Sequence, residues 1–306
     1  MRDAFVRTLE GIAQNDPNVF LVTGDLGFGV LTNFAKRFPK QYINAGVAEQ
    51  NMTGLAVGMA LEGKTVFTYS IGNFPTLRCL EQIRNDACYH QANVKIVAVG
   101  GGYVYGSLGL SHHATEDLAI MRALPNMTIL APGDPLEAAV ATEAIYRTPG
   151  TCYLRLGRGG EPVVHQEKPD FKLGKAIQLF TGEDLTLIST GGILQVALEV
   201  RNQLAALGLK AGLISMPTLK PIDAQTIKIL ASHTKWIFTL EEHSVIGGLG
   251  SAVAEISSQL PPPKANLKMI GLPDGFLKIV GDQNYLRNYQ GLSVEAILGV
   301  IQKELG

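Results

Sequence analysis

A carboxylate, Glu49, stands at the start of an apolar helical pattern. Residues 44–50 lead into apolar residues spaced three and four apart, which places Glu49 in the first helical turn, at about the third position after a cap near Gly46. A carboxylate in that position satisfies free helix amides and the helix dipole. If the helix follows a parallel strand, Glu49 instead lies at the sheet edge where ligands of α/β proteins bind, and it can accept a hydrogen bond from a cofactor. Spacing alone favours the capping interpretation.

Two adjacent histidines, His112 and His113, follow a glycine-rich loop and precede a helix that is expected to start near Thr115. Adjacent side chains do not face the same way, and the i, i+4 spacing of a helical zinc site is absent, so the pair makes poor joint metal ligands. An imidazole in an uncharged loop can instead transfer a proton near neutral pH. A loop histidine that is bonded only to backbone is the alternative.

Two arginines and a glycine-rich turn offer possible anion contacts. Arg155 and Arg158 stand at a strand end that is followed by glycines. This arrangement suits a substrate phosphate, although a solvated arginine explains either one alone. Residues 24–29 follow another strand, but they have neither the Gly-x-Gly-x-x-Gly spacing of a dinucleotide site nor a Walker-type Gly-Lys-Ser. We predict a sharp turn there.

Strand and helix patterns alternate along the whole chain. In the first half the predicted strands are 19–23, 65–68, 95–99, 127–131 and 152–156, and the predicted helices are 3–14, 48–60, 77–90, 115–123 and 135–146. In the second half the predicted strands are 185–189, 211–215 and 235–239, and the predicted helices are 193–207, 223–232, 250–260 and 294–305. This alternation predicts an α/β protein with mainly parallel, doubly wound sheets.

The chain is long enough for two domains, since it has 306 residues. Residues 161–175 contain two prolines, mixed charges and no sustained apolar period, which is typical of an interdomain connection. We therefore predict a first domain at 1–165, a linker at 166–178 and a smaller second domain at 179–306.

Composition excludes several classes of function. Twenty-six Lys and Arg residues against 27 Asp and Glu residues leave a net charge of -1, so no basic field attracts nucleic acid or an anionic membrane. Three cysteines without a Cys-x-x-Cys spacing fit a reducing compartment and offer no thiolate metal site. The N-terminal residues carry charges throughout rather than an apolar signal core. We expect a cytoplasmic protein that binds neither nucleic acid nor membrane.

Six short motifs, taken in order, are similar to those of one enzyme family. They are 46–50 (Gly-Val-Ala-Glu-Gln), 111–113 (Ser-His-His), 124–127 (Leu-Pro-Asn-Met), 132–134 (Pro-Gly-Asp), 158–159 (Arg-Gly) and 241–248 (Glu-Glu-His-Ser-Val-Ile-Gly-Gly). Together they resemble the C-terminal half of the thiamine-diphosphate-dependent transketolase and deoxyxylulose-phosphate synthase superfamily, over essentially the whole chain. The resemblance implies a pyrimidine-binding thiamine diphosphate fold followed by a transketolase C-terminal-like domain.

The resemblance assigns the cofactor contacts to particular residues. The matched glutamate, Glu49, bonds the N1′ atom of the aminopyrimidine, which favours the tautomer whose 4′-nitrogen removes the C2 proton. An aromatic ring covers the pyrimidine in this family, and Phe74 matches it, with Tyr69 as the alternative. Asp25 resembles an acidic residue that lies near the cofactor.

The resemblance also implies contacts with the substrate. His112 matches the histidine that contacts substrate hydroxyls and assists proton transfer, and His113 beside it is a second substrate-binding candidate. Arg158 and Arg78 match arginines that contact phosphate, which leaves Arg155 a structural role. Where the family has an acidic residue in Asp-Gly-x-Thr-His, this chain has Leu108, which implies an acceptor with fewer or differently oriented hydroxyls.

One family motif is absent from the sequence. The family binds the diphosphate through Mg²⁺ with Gly-Asp-Gly and a later Asn, whereas this chain has only Gly-Asp-Leu, Gly-Asp-Pro and Gly-Asp-Gln. The resemblance therefore implies a split transketolase, in which an N-terminal subunit carrying Gly-Asp-Gly binds most of the Mg²⁺ and a homodimer of this chain forms the core of a heterotetramer. The substrates implied are a sugar phosphate and an aldehyde. The alternatives are the beta subunit of a 2-oxo acid dehydrogenase and a non-catalytic regulatory paralogue.

Overall fold

Twelve strands form the two sheets of the structure, a computed structural model that describes residues 1–306. The strands are β1 Val19–Thr23, β2 Tyr42–Asn44, β3 Thr65–Ile71, β4 Val94–Val99, β5 Met127–Leu130, β6 Thr151–Leu156, β7 Ile177–Phe180, β8 Leu185–Thr190, β9 Ala211–Ser215, β10 Thr218–Lys220, β11 Trp236–Ser244 and β12 Asn266–Leu272. The first sheet has the order β10-β5-β6-β4-β3-β1-β2, and the second has the order β12-β11-β8-β9-β7. All pairs are parallel except β10 with β5 and β7 with β9.

Helices connect the parallel strands, as such connections require. They are α1 Arg2–Asn15, α2 Thr32–Arg37, α3 Glu49–Leu61, α4 Leu80–Gln82, α5 Asp117–Ala123, α6 Pro135–Arg147, α7 Leu194–Ala206, α8 Ala224–His233, α9 Leu249–Ser257, α10 Gln283–Tyr289 and α11 Val294–Leu305. A 3₁₀ turn at Leu77–Cys79 precedes α4 and a π-helical turn at Ile83–Cys88 follows it. No helix is long and apolar enough to cross a membrane.

The first sheet is covered on both faces. Alternate residues of β4 enter two different cores: Ile96 and Ala98 pack with α3 and α5, whereas Val97 and Val99 pack with α1 and α6. Alternation of this kind follows from the two-residue side-chain period of a strand. Because both faces are buried, only the loops at the strand ends remain for ligand contacts.

The two sheets are joined by more than the linker. The core around α3 and α5 continues into residues of the second unit, including Met216, Ile227 and Val253. In addition, β10 leaves the second unit and pairs antiparallel with β5, so that Thr218 lies opposite Leu130 at the edge of the first sheet. The two units therefore share both a hydrophobic core and a sheet.

The predicted α/β class with two doubly wound units is confirmed, with differences at particular elements. The predicted strand at 235–239 continues to Ser244, and the predicted regular helix at 77–90 is a mixture of 3₁₀, α and π turns. The helix predicted to begin at residue 115 begins at Asp117. Strand β7 begins at Ile177, inside the range predicted as linker, and pairs with β9. Six elements were not predicted: α2, β2, β7, β10, β12 and α10.

Candidate functional site

Glu49 is the first residue of α3 and is 2% exposed. The helix begins one residue after its cap, Ala48, so Glu49 is not at the third position that the spacing predicted. Its Oε2 atom accepts a hydrogen bond from Nη1 of Arg78 at 2.6 Å and not from a helix amide. A Cβ atom at Gly24 would lie only 3.2 Å from Cγ of Glu49, so the glycine lets the turn after β1 approach the carboxylate.

Three further side chains form a series of successive contacts that begins at Glu49. The guanidinium carbon of Arg78 lies 4.6 Å from the centre of the Phe74 ring, a cation–π contact. The Phe74 ring in turn meets the His112 ring edge to face, with 5.1 Å between ring centres. The structure thus brings together four residues that the sequence predicted for the site. We call Glu49, Arg78, Phe74 and His112 the Glu49 cluster.

His112 lies in a short 3₁₀ turn, Leu110–His112, and is partly buried. Its Nδ1 atom is 3.0 Å from the hydroxyl of Ser111. Burial, with a smaller contribution from His113, lowers the pKa of His112 below the usual value of 6.5. The ring is therefore largely neutral at pH 7 and can accept a proton.

His113 points elsewhere. It is 2% exposed, its Nε2 atom is 3.3 Å from the carbonyl of Gly106, and its ring meets that of Tyr103 edge to face. The side-chain amide of Asn73 donates to its backbone carbonyl at 2.8 Å. The contacts of His113 thus fix the loop, and a role in substrate binding stays a prediction.

Two predicted cofactor contacts have different surroundings. Asp25 is exposed in the turn after β1 with φ at 57°, and its carboxylate accepts a hydrogen bond from Asn44 at 2.8 Å. It adjoins Gly24, on which Glu49 packs. Tyr69, by contrast, is 2% exposed and stacks on Phe5 in the core beneath α1. Tyr69 therefore offers no free face to a cofactor, and we retain Phe74 alone as the aromatic candidate.

The arginines near β6 separate into two roles. Arg158 is exposed and lines a cavity of about 770 Å³ between the two units, which His112 does not line. Its contact with a substrate phosphate stays a prediction. Arg155 is 5% exposed and donates to Asp117 at 2.9 Å and to the carbonyls of Ala114 and Glu242 at 2.8 and 3.1 Å. Arg155 therefore has a structural role, because its hydrogen bonds are made to other groups of the protein.

Each Gly-Asp pair of the chain has a local task. Asp25 bonds Asn44, as described above, and Asp282 caps α10 by accepting from the Tyr285 amide at 2.9 Å. Asp134 caps α6 and bonds His165; although its burial acts in the opposite direction, these hydrogen bonds lower the pKa of Asp134 to about 2. No group of three or more His, Cys, Asp and Glu side chains could hold a metal ion.

The Glu49 cluster fits one half of thiamine diphosphate. Oε1 of Glu49 accepts no hydrogen bond from the protein, so a nearly buried carboxylate has one oxygen left for a ring nitrogen. Phe74 supplies an aromatic ring, and a ligand that stacks on it needs the face that Arg78 does not cover. By contrast, the aspartates of the three Gly-Asp pairs each make local hydrogen bonds, to Asn44, His165 and the amide of Tyr285.

Two features of the site were not predicted. The first is the contact of Arg78 with Glu49, which the irregular turns at 77–88 bring about. The second is Glu242 of β11, which is 3% exposed and accepts a hydrogen bond from the backbone amide of Tyr103, in the loop that carries His112. Two adjacent acidic residues inside an otherwise apolar strand were the signal available in the sequence.

Known proteins match the chain along its length. Residues 1–161 match the transketolase pyrimidine-binding domain family, and residues 174–297 match the transketolase C-terminal domain family. An apulose-4-phosphate transketolase subunit from Phocaeicola vulgatus is 37% identical over 97% of this chain and 94% of its own. The 6-deoxy-6-sulfo-D-fructose transketolase subunit SqwH of Clostridium sp. (strain MSTE9) is 35% identical over 97% of this chain and 92% of its own.

Solved structures show the same arrangement. A split gene transketolase, described as an inactive beta4 tetramer, superposes with a TM-score of 0.89 at 37% identity and covers 99% of this chain and 97% of its own. Transketolase from Campylobacter jejuni superposes with a TM-score of 0.83 at 19% identity, and the match covers 99% of this chain but 46% of that one. From these matches, the chain belongs to the transketolase family and consists of its pyrimidine-binding and C-terminal domains.

Proposed function

We propose that this chain is the pyrimidine-binding subunit of a two-chain, thiamine-diphosphate-dependent transketolase. The reaction is transfer of a two-carbon ketol unit from a ketose phosphate or related donor to an aldehyde. The observation that carries the proposal is the free oxygen of buried Glu49 beside Phe74 and His112, in a chain whose sequence contains no Gly-Asp-Gly. The diphosphate and Mg²⁺ then belong mainly to a partner chain.

The residues of the Glu49 cluster have distinct tasks in this reaction. When bound, thiamine diphosphate supplies the carbon nucleophile through deprotonation of its C2 atom. Glu49 holds the proton at N1′ of the pyrimidine, and Arg78 fixes the carboxylate from the side. Phe74 packs against the ring. His112, which is neutral at pH 7 because burial lowers its pKa, accepts or returns a proton at a substrate hydroxyl.

The alternatives have less support. The relatives described above are named as transketolase subunits, and none of them is a 2-oxo acid dehydrogenase. A regulatory paralogue has no need of a nearly buried carboxylate with a free oxygen. A cytoplasmic location stays a prediction, which the three unpaired cysteines support.

An exposed apolar face beside Glu49 supports a partner chain. Helix α3 buries Met52 and Ala56, while Leu55 and Leu61 of the same helix are 37% and 59% exposed. Val47, just before the helix, is 76% exposed. Apolar residues grouped in this way mark protein interfaces. We propose that a second copy of this chain and an N-terminal subunit with Gly-Asp-Gly cover this face in a heterotetramer.

Reconstitution tests the proposed function. We expect the purified chain alone to have no transketolase activity with thiamine diphosphate and Mg²⁺, and activity to appear when an N-terminal transketolase subunit is added. The measurement is the rate of ketol transfer from xylulose 5-phosphate to ribose 5-phosphate and, separately, to short or deoxygenated aldehydes during titration with that subunit. Turnover by the chain alone would contradict the proposal, and assembly without activity would favour the regulatory alternative.

A charged residue on the exposed face tests assembly, with a matched control elsewhere on the surface. Leu55→Glu is expected to abolish both complex formation and activity, because a carboxylate buried in an interface has no partner there. Leu207→Glu, at an even more accessible leucine after α7, is expected to leave both unchanged, since Leu207 is 61% exposed and far along the chain from Glu49. Equal behaviour of the two variants would place the partner elsewhere.

The acceptor is expected to be less hydroxylated than an ordinary aldose phosphate. Leu108 lies in the loop that carries His112, at a position where the family that the sequence resembles has an acidic residue. It is 56% exposed in the isolated chain. Once an acceptor and a partner cover it, a hydroxyl facing Leu108 loses its hydrogen bond, at a cost of about 5- to 150-fold in kcat/KM. Leu108→Asp should therefore raise kcat/KM for ribose 5-phosphate relative to kcat/KM for deoxygenated aldehydes, while Leu110→Asp should leave this ratio unchanged. Strong preference for ribose 5-phosphate in the unaltered enzyme would contradict this.

A further inference from the structure

The loop that carries His112 is fastened to the second domain at its beginning. The backbone amide of Tyr103 donates to Oε1 of Glu242 at 2.6 Å. A Cβ atom at Gly102 would lie 2.5 Å from the same oxygen, so the absent side chain is what allows this approach. Glu242 belongs to β11 in the second sheet, and therefore the contact crosses between domains.

The same strand fastens the end of the loop. The amide of Ser244 donates to the carbonyl of Thr115 at 2.8 Å. Arg155 bridges the two segments, since it donates to the carbonyls of Ala114 and Glu242. Gly102 and Ala114 also pair with each other through two backbone hydrogen bonds of 2.7 and 3.1 Å. Both ends of the loop thus meet one short stretch of β11.

Between these ends His113 holds the loop through its contacts with Gly106, Tyr103 and Asn73, whereas residues 107–111 have little support of their own. Residues 106–112 form two 3₁₀ turns, and Ser107, Leu108, Leu110 and Ser111 are exposed. Short 3₁₀ turns have poor hydrogen-bond geometry and few buried contacts to stabilise them. The position of His112 therefore depends on the contacts of His113 and on how firmly the two ends of the loop are held.

Glu242 is itself held rigidly. Arg287 of α10 bonds Oε2 of Glu242 through Nε at 2.7 Å and also through Nη2, and Gln283 donates to both oxygens. Both Glu242 and Arg287 are nearly buried, at 3% and 8% exposure. A charged acceptor fixed by several donors makes a strong hydrogen bond to the loop amide.

We propose that Glu242, in the C-terminal domain, is the positioning residue for the His112 loop. It does not touch the reacting atoms; it sets the place of the imidazole through the amide of Tyr103. This gives the C-terminal domain a direct part in the site of the first domain. The effect of Glu242 on the rate of ketol transfer rests on the proposed function, whereas its effect on the position of the loop does not.

A shortened carboxylate tests the mechanical part in the full chain. Glu242→Asp keeps the charge beside Arg287 but withdraws the oxygen from Tyr103 by one methylene. We expect amides at 102–114 to exchange hydrogen about tenfold faster or more, as measured by mass spectrometry. Glu241→Asp is the matched control, because the Glu241 carboxylate accepts hydrogen bonds from the amides of Leu249 and Gly250 in its own domain, and its neighbour at 3.6 Å, His243, belongs to that domain too. It should speed exchange at the start of α9 and leave the loop unchanged.

Two further measurements separate positioning from general stability. Glu242→Gln keeps the length and an acceptor oxygen for the amide of Tyr103, so we expect it to loosen the loop less than Glu242→Asp does. Because it leaves nearly buried Arg287 without its counter-charge, it should lower the free energy of unfolding of the chain more than Glu242→Asp does. The His112 ring signal in NMR should titrate at a higher pH in Glu242→Asp than in the unaltered chain, because a released ring is better hydrated.

In the reconstituted enzyme, Glu242→Asp should lower kcat about tenfold or more while bound thiamine diphosphate stays the same. Unchanged exchange at 102–114 in both Glu242 variants would overturn the proposal, as would equal loosening by Glu241→Asp. If hydrogen exchange at 102–114 is faster in the Glu242 variants, but neither they nor the unaltered chain give transketolase activity in the complex, the proposed function is refuted. The positioning role of Glu242 is then still supported.

Discussion

Replacing Glu49 with glutamine is expected to slow deprotonation of thiamine diphosphate at C2 by about 10²- to 10⁴-fold in the reconstituted enzyme. An amide of the same shape cannot hold the N1′ proton as a carboxylate does. The variant should fold, because the partner that it loses, Arg78, is 45% exposed and can be hydrated instead. The direct measurement is hydrogen–deuterium exchange at C2, followed by NMR after acid quench.

Glu62→Gln provides the matched control for this substitution. Glu62 follows the last residue of the same helix, is exposed and has no hydrogen bond through its side chain. Its replacement should leave C2 exchange and assembly unchanged. If C2 exchange in Glu49→Gln equals that of the unaltered enzyme, Glu49 has only a structural role at the start of α3.

Replacing Arg155 with leucine is expected to lower the free energy of unfolding of the chain by about 3–5 kcal/mol. The substitution leaves Asp117, which is 1% exposed, without its counter-charge. It also removes the Arg155 donor to the carbonyl of Glu242 and one of the two donors to the carbonyl of Ala114, which keeps the amide of Gly102. Tyr153 still donates to Asp117 at 2.5 Å, but one hydroxyl does not replace a guanidinium. Urea unfolding followed by circular dichroism measures the loss.

Arg147→Leu is the matched control for Arg155. Arg147 lies at the end of α6, is 74% exposed and has only a loose contact of 3.9 Å with Glu143. Its replacement should change the free energy of unfolding by less than about 0.5 kcal/mol. Similar losses in the two variants would show that the buried pair of Arg155 and Asp117 contributes no special stability.

The residue pattern singled out Glu49 at the start of an apolar helix and His112 in an uncharged loop, but it favoured a capping role for Glu49 and left the role of His112 open. The resemblance to the transketolase family assigned both residues to one site. Neither predicted the contact between Arg78 and Glu49. These residues are 29 positions apart, and the turns between them are irregular, so no periodic pattern reports their distance.

The fold was predictable where strands are long and apolar. Strands such as β4 and β8, buried at every residue, stand out as runs rich in Val, Ile, Leu and Thr. The three-residue strands β2 and β10 leave no such run, and β7 alternates in burial at an edge of its sheet. The extension of β11 to Ser244 was missed because Glu241 and Glu242 are acids that buried strands rarely contain.

The crossing of β10 into the first sheet bears on synthesis of the chain. Leu130 pairs with Thr218, so the edge formed by β5 stays open while the ribosome adds 88 further residues. At about 5–20 residues per second this takes roughly 4–18 seconds. During that time the bare edge of β5 can pair with a neighbouring nascent chain. The sheet of the first domain is therefore incomplete until β10, at Thr218–Lys220, has been synthesised.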